Sequence, residues 1–346
     1  MNPAEEAVRA AIADRGPVPF AEVVDLALYD PDGGFYATVG QAGRRGDFLT
    51  SPEVGALFGA VVARALDAWW AEAGEPTEWV VVETGAGPGS LARAVLAAEP
   101  ECRRALSYVL VERSETQRAQ HGRGLPLGAP TGPSALSVDA LPTASVPSVV
   151  LANELLDNLP FGLLERTVDG WADVNVGLAG DELVEVLVPG DGPALDAPVG
   201  ARVPRQDVAA AWVRDALAQV GPGGRVLAFD YATTTAAMAA RPWTDWVRTY
   251  RHHQRGGLPL SGLGTQDITC EVAVDQLPAP ASDRSQADWL RAHGIEALVG
   301  EARRAWEERA AIGDLTALRA RSRISEADAL LDPSGLGAFR ALEWRG

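Results

Sequence analysis

The chain has 346 residues with a formal charge of −17, 47% hydrophobic and 22% charged residues. That length buries a sizeable core as one large domain or two, and so acidic a balance disfavours nucleic acid or an anionic membrane as partner, since both need clustered cations. All 30 basic residues are arginine, which excludes a phosphate-loop lysine, a pyridoxal Schiff base and a lysine nucleophile.

Residues 1–75 are expected to form an N-terminal helical extension carrying a glycine-rich loop. In "TSPEVGALFGAVVARALDAWW" Thr50 and Glu53 have capping-box spacing, Pro52 suits a first turn, and Leu57, Val61, Ala65 and Trp69 recur on one face. From residue 78 short apolar runs alternate with helical segments: "WVVVE" (79–83), "YVLVE" (108–112), the weaker "ALSVD" (135–139), "SVVLANE" (148–154) and "RVLAFDY" (225–231). Continuous apolar strands of this kind predict an α/β, Rossmann-like, doubly wound and mostly parallel sheet covered on both faces. Its core is assigned to residues 76–160 and 205–275. Residues 161–204 alternate and carry turns at Asp169-Gly170 and Gly180-Asp181, which predicts an inserted antiparallel β segment. Residues 276–346 are read as C-terminal helices with a possible edge strand at "FRALEW".

The stretch "VVVETGAGPGSLARAVL" (80–96) has the form of a strand, a glycine turn and a helix. A dinucleotide fingerprint needs G-x-G-x-x-G and a helix N-terminus open to pyrophosphate. Here Gly85, Gly87 and Gly89 give G-x-G-x-G, and Glu83 stands two residues ahead, where a carboxylate would repel a pyrophosphate. S-adenosyl-L-methionine fits better, because it carries a sulfonium and an ammonium and no phosphate. The glycines let backbone pass close under the ligand. Glu112, ending the next strand, is placed to accept both ribose hydroxyls, and Asp139, ending the third, to reach the adenine edge. A nicotinamide-dependent enzyme is the competing reading.

Further stretches resemble the family of bacterial MidA and mitochondrial complex I assembly-factor methyltransferases, formerly a domain of unknown function. "LALYDPDGGFY" is similar to that family's "xALYHPxxGYY", "RRGDFLTSPEVGALFG" to its "GDFxTxPExxxxFG", "LANELLDNLP" to "xxNEFFDALP", and "HHQRGGLPLSGLGTQDIT" to "H…PLxxPGxxDLT". The resemblance covers roughly residues 22–275 and implies a class I methyltransferase fold with extra helices and an inserted lid. It implies cofactor binding by Gly85, Gly87, Gly89 and Glu112, with Glu83 supporting the turn. Gly46, Asp47, Thr50 and Ser51 would close a loop over the cofactor. Mitochondrial members methylate arginine of a respiratory-complex subunit, which implies a protein arginine acceptor. His253 and Asp267 match the family's histidine and D-L-T, as a proton relay or a tie for the loop.

Asn153 and Glu154 end the fourth strand, facing where the methyl donor's sulfonium should lie, and Asn153 is also a cofactor contact. Methyl transfer to a guanidinium needs an anion that holds the acceptor and takes a proton. Glu154 and Asp157 are spaced i, i+3, so a helical turn would set both on one face. The expected catalytic set is therefore Glu154, Asp157, Asn153 and His253. No metal is expected, since His121, His252, His253 and His293 lack ligand spacing; His121 and His293 receive no role. Cys102 and Cys270 stand far apart with no partner motif, the start "MNPAEEAVRAAIADRG" is no signal peptide, and a reducing cytoplasm is the expected setting. Two alternatives remain at this stage, a small-molecule methyltransferase and a protein-assembly factor with a retained cofactor pocket. The oligomeric state is not legible.

Overall fold

The computed structural model describes residues 2–38, 50–125, 134–140, 148–251 and 254–346. Its centre is a seven-stranded sheet. In chain order its strands are β1 (Trp79–Thr84), β2 (Leu106–Val111), β3 (Ser134–Val138), β4 (Val149–Asn153), β5 (Arg225–Asp230), β6 (Ser282–Ser285) and β7 (Arg340–Arg345). Across the sheet they run β3-β2-β1-β4-β5-β7-β6. The strands β1 to β5 pair in parallel, while β7 lies antiparallel to β5 and β6 antiparallel to β7. The order reverses between β1 and β4, and ligands of open α/β sheets bind outside the carboxyl ends at such a point.

The unbroken apolar runs are explained by burial on both faces. Successive side chains point to opposite sides of a strand, so Val81, Val149, Leu151 and Phe229 join one core with Phe58, Trp69 and Trp289. Val82, Val150, Ala152 and Ala228 join another with Val213 and Trp344. The tail expected as an edge strand is β7, one place in from the edge, because β6 closes the sheet outside it.

Two boundaries drawn along the sequence do not divide the folded chain. The alternating segment builds a second, five-stranded sheet from Gly162–Thr167, Gly170–Ala179, Glu182–Gly190 and Arg202–Arg205, and its remaining strand is Val18–Pro19 of the N-terminal extension. Phe20 and Phe161 pack ring against ring at 5.7 Å in the shared core. The extension and the insertion are thus one cap.

The capping-box expectation also changes. The helix breaks at Gly55 into Ser51–Val54 and Ala56–Glu72, and Thr50 makes no side-chain cap. Glu53 instead accepts from the Ser90 hydroxyl. Buried Glu326, from the helix Leu315–Leu330, accepts from Leu57 N at 2.8 Å and so caps the longer helix from outside. A Cβ at Gly55 would lie 2.1 Å from its carboxyl carbon, so the capping carboxyl sits in space that the glycine leaves open. The expected face of Leu57, Val61, Ala65 and Trp69 is buried.

Candidate functional site

A cavity of about 340 Å³ opens at the carboxyl ends of β1, β2 and β4, and both the glycine turn and the N-terminal extension line it. The turn departs from ordinary backbone: Gly85, Gly87 and Gly89 have φ of +66°, +52° and +81°, a region L side chains enter only with strain. A Cβ on Gly87 would meet nothing within 4 Å, so the turn leaves open space where a ligand can come against backbone.

One acid bonds this turn and a second stands at the strand end before it. Glu112 accepts from Gly87 N at 2.9 Å and from Ser114 N at 2.8 Å, and burial raises its carboxyl above the usual range. Glu83 is buried, accepts from the Tyr108 hydroxyl at 2.8 Å, and is pushed up to about 7 by desolvation. Both line the cavity, as do Asn153, Glu154 and Thr50; Asp139 does so from an exposed position.

His121, given no role from the sequence, is buried behind the turn. Its Nε2 lies 2.7 Å from the Gly87 carbonyl and its Nδ1 2.8 Å from Ser137 Oγ. A carbonyl only accepts, so Nε2 carries the proton and the serine hydroxyl donates to Nδ1. Burial lowers this histidine's pKa and keeps it neutral. Only the fold brings helix, turn and third strand together, so no local spacing signals it.

Glu154 follows β4 with φ of +51°, a left-handed conformation uncommon for a side chain of its kind. Its amide donates to the Phe229 carbonyl at 2.8 Å, which continues the pairing with β5 past the strand end. Asn153 Nδ2 at 3.1 Å and Ser51 N at 3.2 Å both donate to Oε1, leaving Oε2 with no hydrogen bond among the described residues. Burial, with the nearby Asp157 charge second, pushes the Glu154 carboxyl up to about 8.

Asp157 does not share a face with Glu154. The helical turn begins only at Leu156, after the left-handed Glu154, so Asp157 sits buried beneath the cavity wall. It accepts from the Tyr231 hydroxyl, and its Oδ1 has no partner among the described residues. The expected i, i+3 geometry fails because Glu154 lies between the end of the strand and the start of the helical turn. Ser51 meets the site through its backbone, since its hydroxyl turns away to Gln286 Oε1 at 3.0 Å. Gly46, Asp47 and His253 lie outside the described residues. Asp267 is fully buried and is raised to about 7, chiefly by desolvation. No cluster of metal ligands occurs among the described residues.

The groups present suit S-adenosyl-L-methionine. Open space faces the Gly87 backbone, Glu112 ends the second strand beside it, and the raised carboxyls of Glu83 and Glu154 line the switch point, with Arg113 as the one cation among the described lining residues. Comparisons with known proteins agree. The family described as "Putative S-adenosyl-L-methionine-dependent methyltransferase" matches residues 61–292. The "Protein arginine methyltransferase NDUFAF7, mitochondrial" of Rattus norvegicus is 28% identical over 326 residues, covering 82% of this chain and 72% of that one. The homologue of that protein in Drosophila melanogaster is 31% identical over 195 residues, and the match spans 51% of this chain and 45% of the relative. The crystal structure of a COG1565 superfamily member from Burkholderia thailandensis, bound to S-adenosyl-homocysteine, superposes with a TM-score of 0.81 at 26% identity, covering 99% of this chain and 92% of that one. The chain therefore belongs to this family of S-adenosyl-L-methionine-dependent methyltransferases, with the class I fold.

Proposed function

We propose that the acceptor is an arginine side chain of a protein. The observation that carries this reading is Glu154: a cavity-lining carboxylate at the end of β4, with one oxygen held by two donors and the other without a hydrogen bond among the described residues. The protein arginine methyltransferase relatives support it. The cofactor supplies an electrophilic methyl group on a sulfonium.

The chain's own residues then have three tasks. Glu112 and the glycine turn hold the donor, and Asn153 and Ser51 N fix the Glu154 carboxyl. Glu154 Oε2 receives an N–H of the guanidinium, orienting one nitrogen for in-line attack. As the N–C bond forms and the C–S bond breaks, that proton passes to Oε2 and is later released to water. A group pushed up to about 8 is well matched to accept a proton near neutrality. The free, buried Cys102 and Cys270 are in keeping with the reducing cytoplasm we assign.

The test is transfer of a labelled methyl group into a whole-cell lysate, followed by hydrolysis of the protein fraction to amino acids. Methylarginine in the protein fraction is the expected product. Label confined to small molecules would overturn the proposal in favour of a metabolite acceptor.

A further inference from the structure

The glycine turn, Glu112 and Asp139, the expected cofactor contacts, stand in the half of the cavity at β1, β2 and β3. Across the switch point, at the ends of β4 and β5, lies a different set of side chains. Tyr36 and Asn158 line the cavity there, and both are anchored on one carboxylate oxygen: Tyr36 Oη and Asn158 Nδ2 each donate to Asp267 Oδ1 at 3.1 Å. Tyr29 Oη donates to the Asn158 carbonyl at 3.1 Å, and its ring stacks on Tyr36 at 5.6 Å. Chain segments more than a hundred residues apart are thus locked into one wall, with fully buried Asp267 at its back.

The anchoring determines what the wall offers. Tyr36 spends its only proton on Asp267 and is left with oxygen lone pairs, while Asn158 spends one of its two amide N–H groups there and keeps its Oδ1 acceptor beside the second N–H. Glu154 adds a carboxylate oxygen from the facing strand end. Deeper still, Asp157 Oδ1 and Asp267 Oδ2 have no hydrogen-bond partner, and no arginine pairs with Glu154, Asp157, Asp230 or Asp267 among the described residues. A wall of acceptors over unpaired carboxylates calls for a cation rich in donors. A planar guanidinium with five N–H groups meets that demand better than an ammonium with three.

We propose that the acceptor guanidinium is received between Glu154 and the wall of Tyr36 and Asn158, with Asp267 as the positioning residue that sets both; this rests on the reading of the site as an arginine methyltransferase. The experiment titrates ethylguanidinium chloride and n-propylammonium chloride into the full chain saturated with S-adenosyl-homocysteine. The guanidinium is expected to bind about tenfold more tightly than the ammonium. Tyr36→Phe and Asp267→Ala should each weaken it about tenfold with S-adenosyl-homocysteine affinity held within about twofold. Asp267→Asn, whose carbonyl oxygen still accepts both bonds, should restore most of the affinity. The proposal is overturned if ethylguanidinium fails to bind the loaded wild type, if the two cations bind equally, or if Tyr36→Phe leaves binding unchanged. Should Asp267→Ala fail to fold, Tyr36→Phe decides by itself. Failure of the wild type to take up S-adenosyl-homocysteine would strike at the cofactor assignment beneath it and overturn both.

Discussion

The role proposed for Glu154 falls on a residue held in an unfavourable setting. It holds a left-handed backbone, and desolvation pushes its carboxyl up to about 8. Glutamine has the same shape without the charge. Glu154→Gln should therefore fold at least as well as wild type at pH 8, while methyl transfer drops by about a hundredfold or more, as loss of a general base does. In wild type, kcat/KM should rise with pH toward the Glu154 value, because only the carboxylate takes the proton, and that rise should vanish in the variant. A pH-independent wild-type rate over this range would remove Glu154 as the base. Gly87→Ala tests the turn: a Cβ at φ +52° costs about 1 kcal/mol of stability, and placed in the open space it should weaken S-adenosyl-homocysteine binding by about tenfold or more, read by calorimetry. That Glu83, Glu112 and the glycines line one cavity was legible because the apolar strands and the glycine turn set them at successive strand ends. His121, Tyr36 and Asn158 were not, because each acquires its partner from a distant segment.

At the scale of elements, strands were legible and helix starts were not. β1 to β5 each overlap an expected apolar run to within two residues at either end, since burial on both faces writes itself into composition. The start of Ala56–Glu72 was misplaced because its cap comes from Glu326, on a helix far along the chain. Glu326→Ala should lower stability by about 2 kcal/mol in denaturant unfolding, combining the lost cap with an orphaned amide. Affinity for S-adenosyl-homocysteine should not change, because Glu326 lies outside the cavity lining. Likewise, the i, i+3 relation of Glu154 and Asp157 presumed a helix where the strand in fact ends.

For the whole molecule, the sequence reads as a doubly wound class with an insertion, but not as strand order or cap. The pairing of Val18–Pro19 with Gly170–Ala179 joins segments about 150 residues apart, and no local pattern announces it. The cap's consequence is a switch point where Tyr29 and Tyr36 join the acids Glu83, Glu112 and Glu154 in one cavity lining. Glu83, Glu154 and Asp267 are all raised in the fold, so they contribute stability in full below their unfolded values and lose it as pH rises through about 7 to 8. Unfolding free energy of the ligand-free protein should accordingly decline between about pH 5 and pH 8, and Glu154→Gln should shallow that decline. The account rests above all on a carboxylate-lined cavity that takes a cationic, phosphate-free cofactor. Calorimetric titration of the full chain with S-adenosyl-L-methionine, S-adenosyl-homocysteine and NAD tests it most directly. Binding of the first two at roughly micromolar affinity, lost in Glu112→Ala, with none for NAD, is the predicted result. Tighter binding of NAD, or no binding of S-adenosyl-homocysteine, would contradict it.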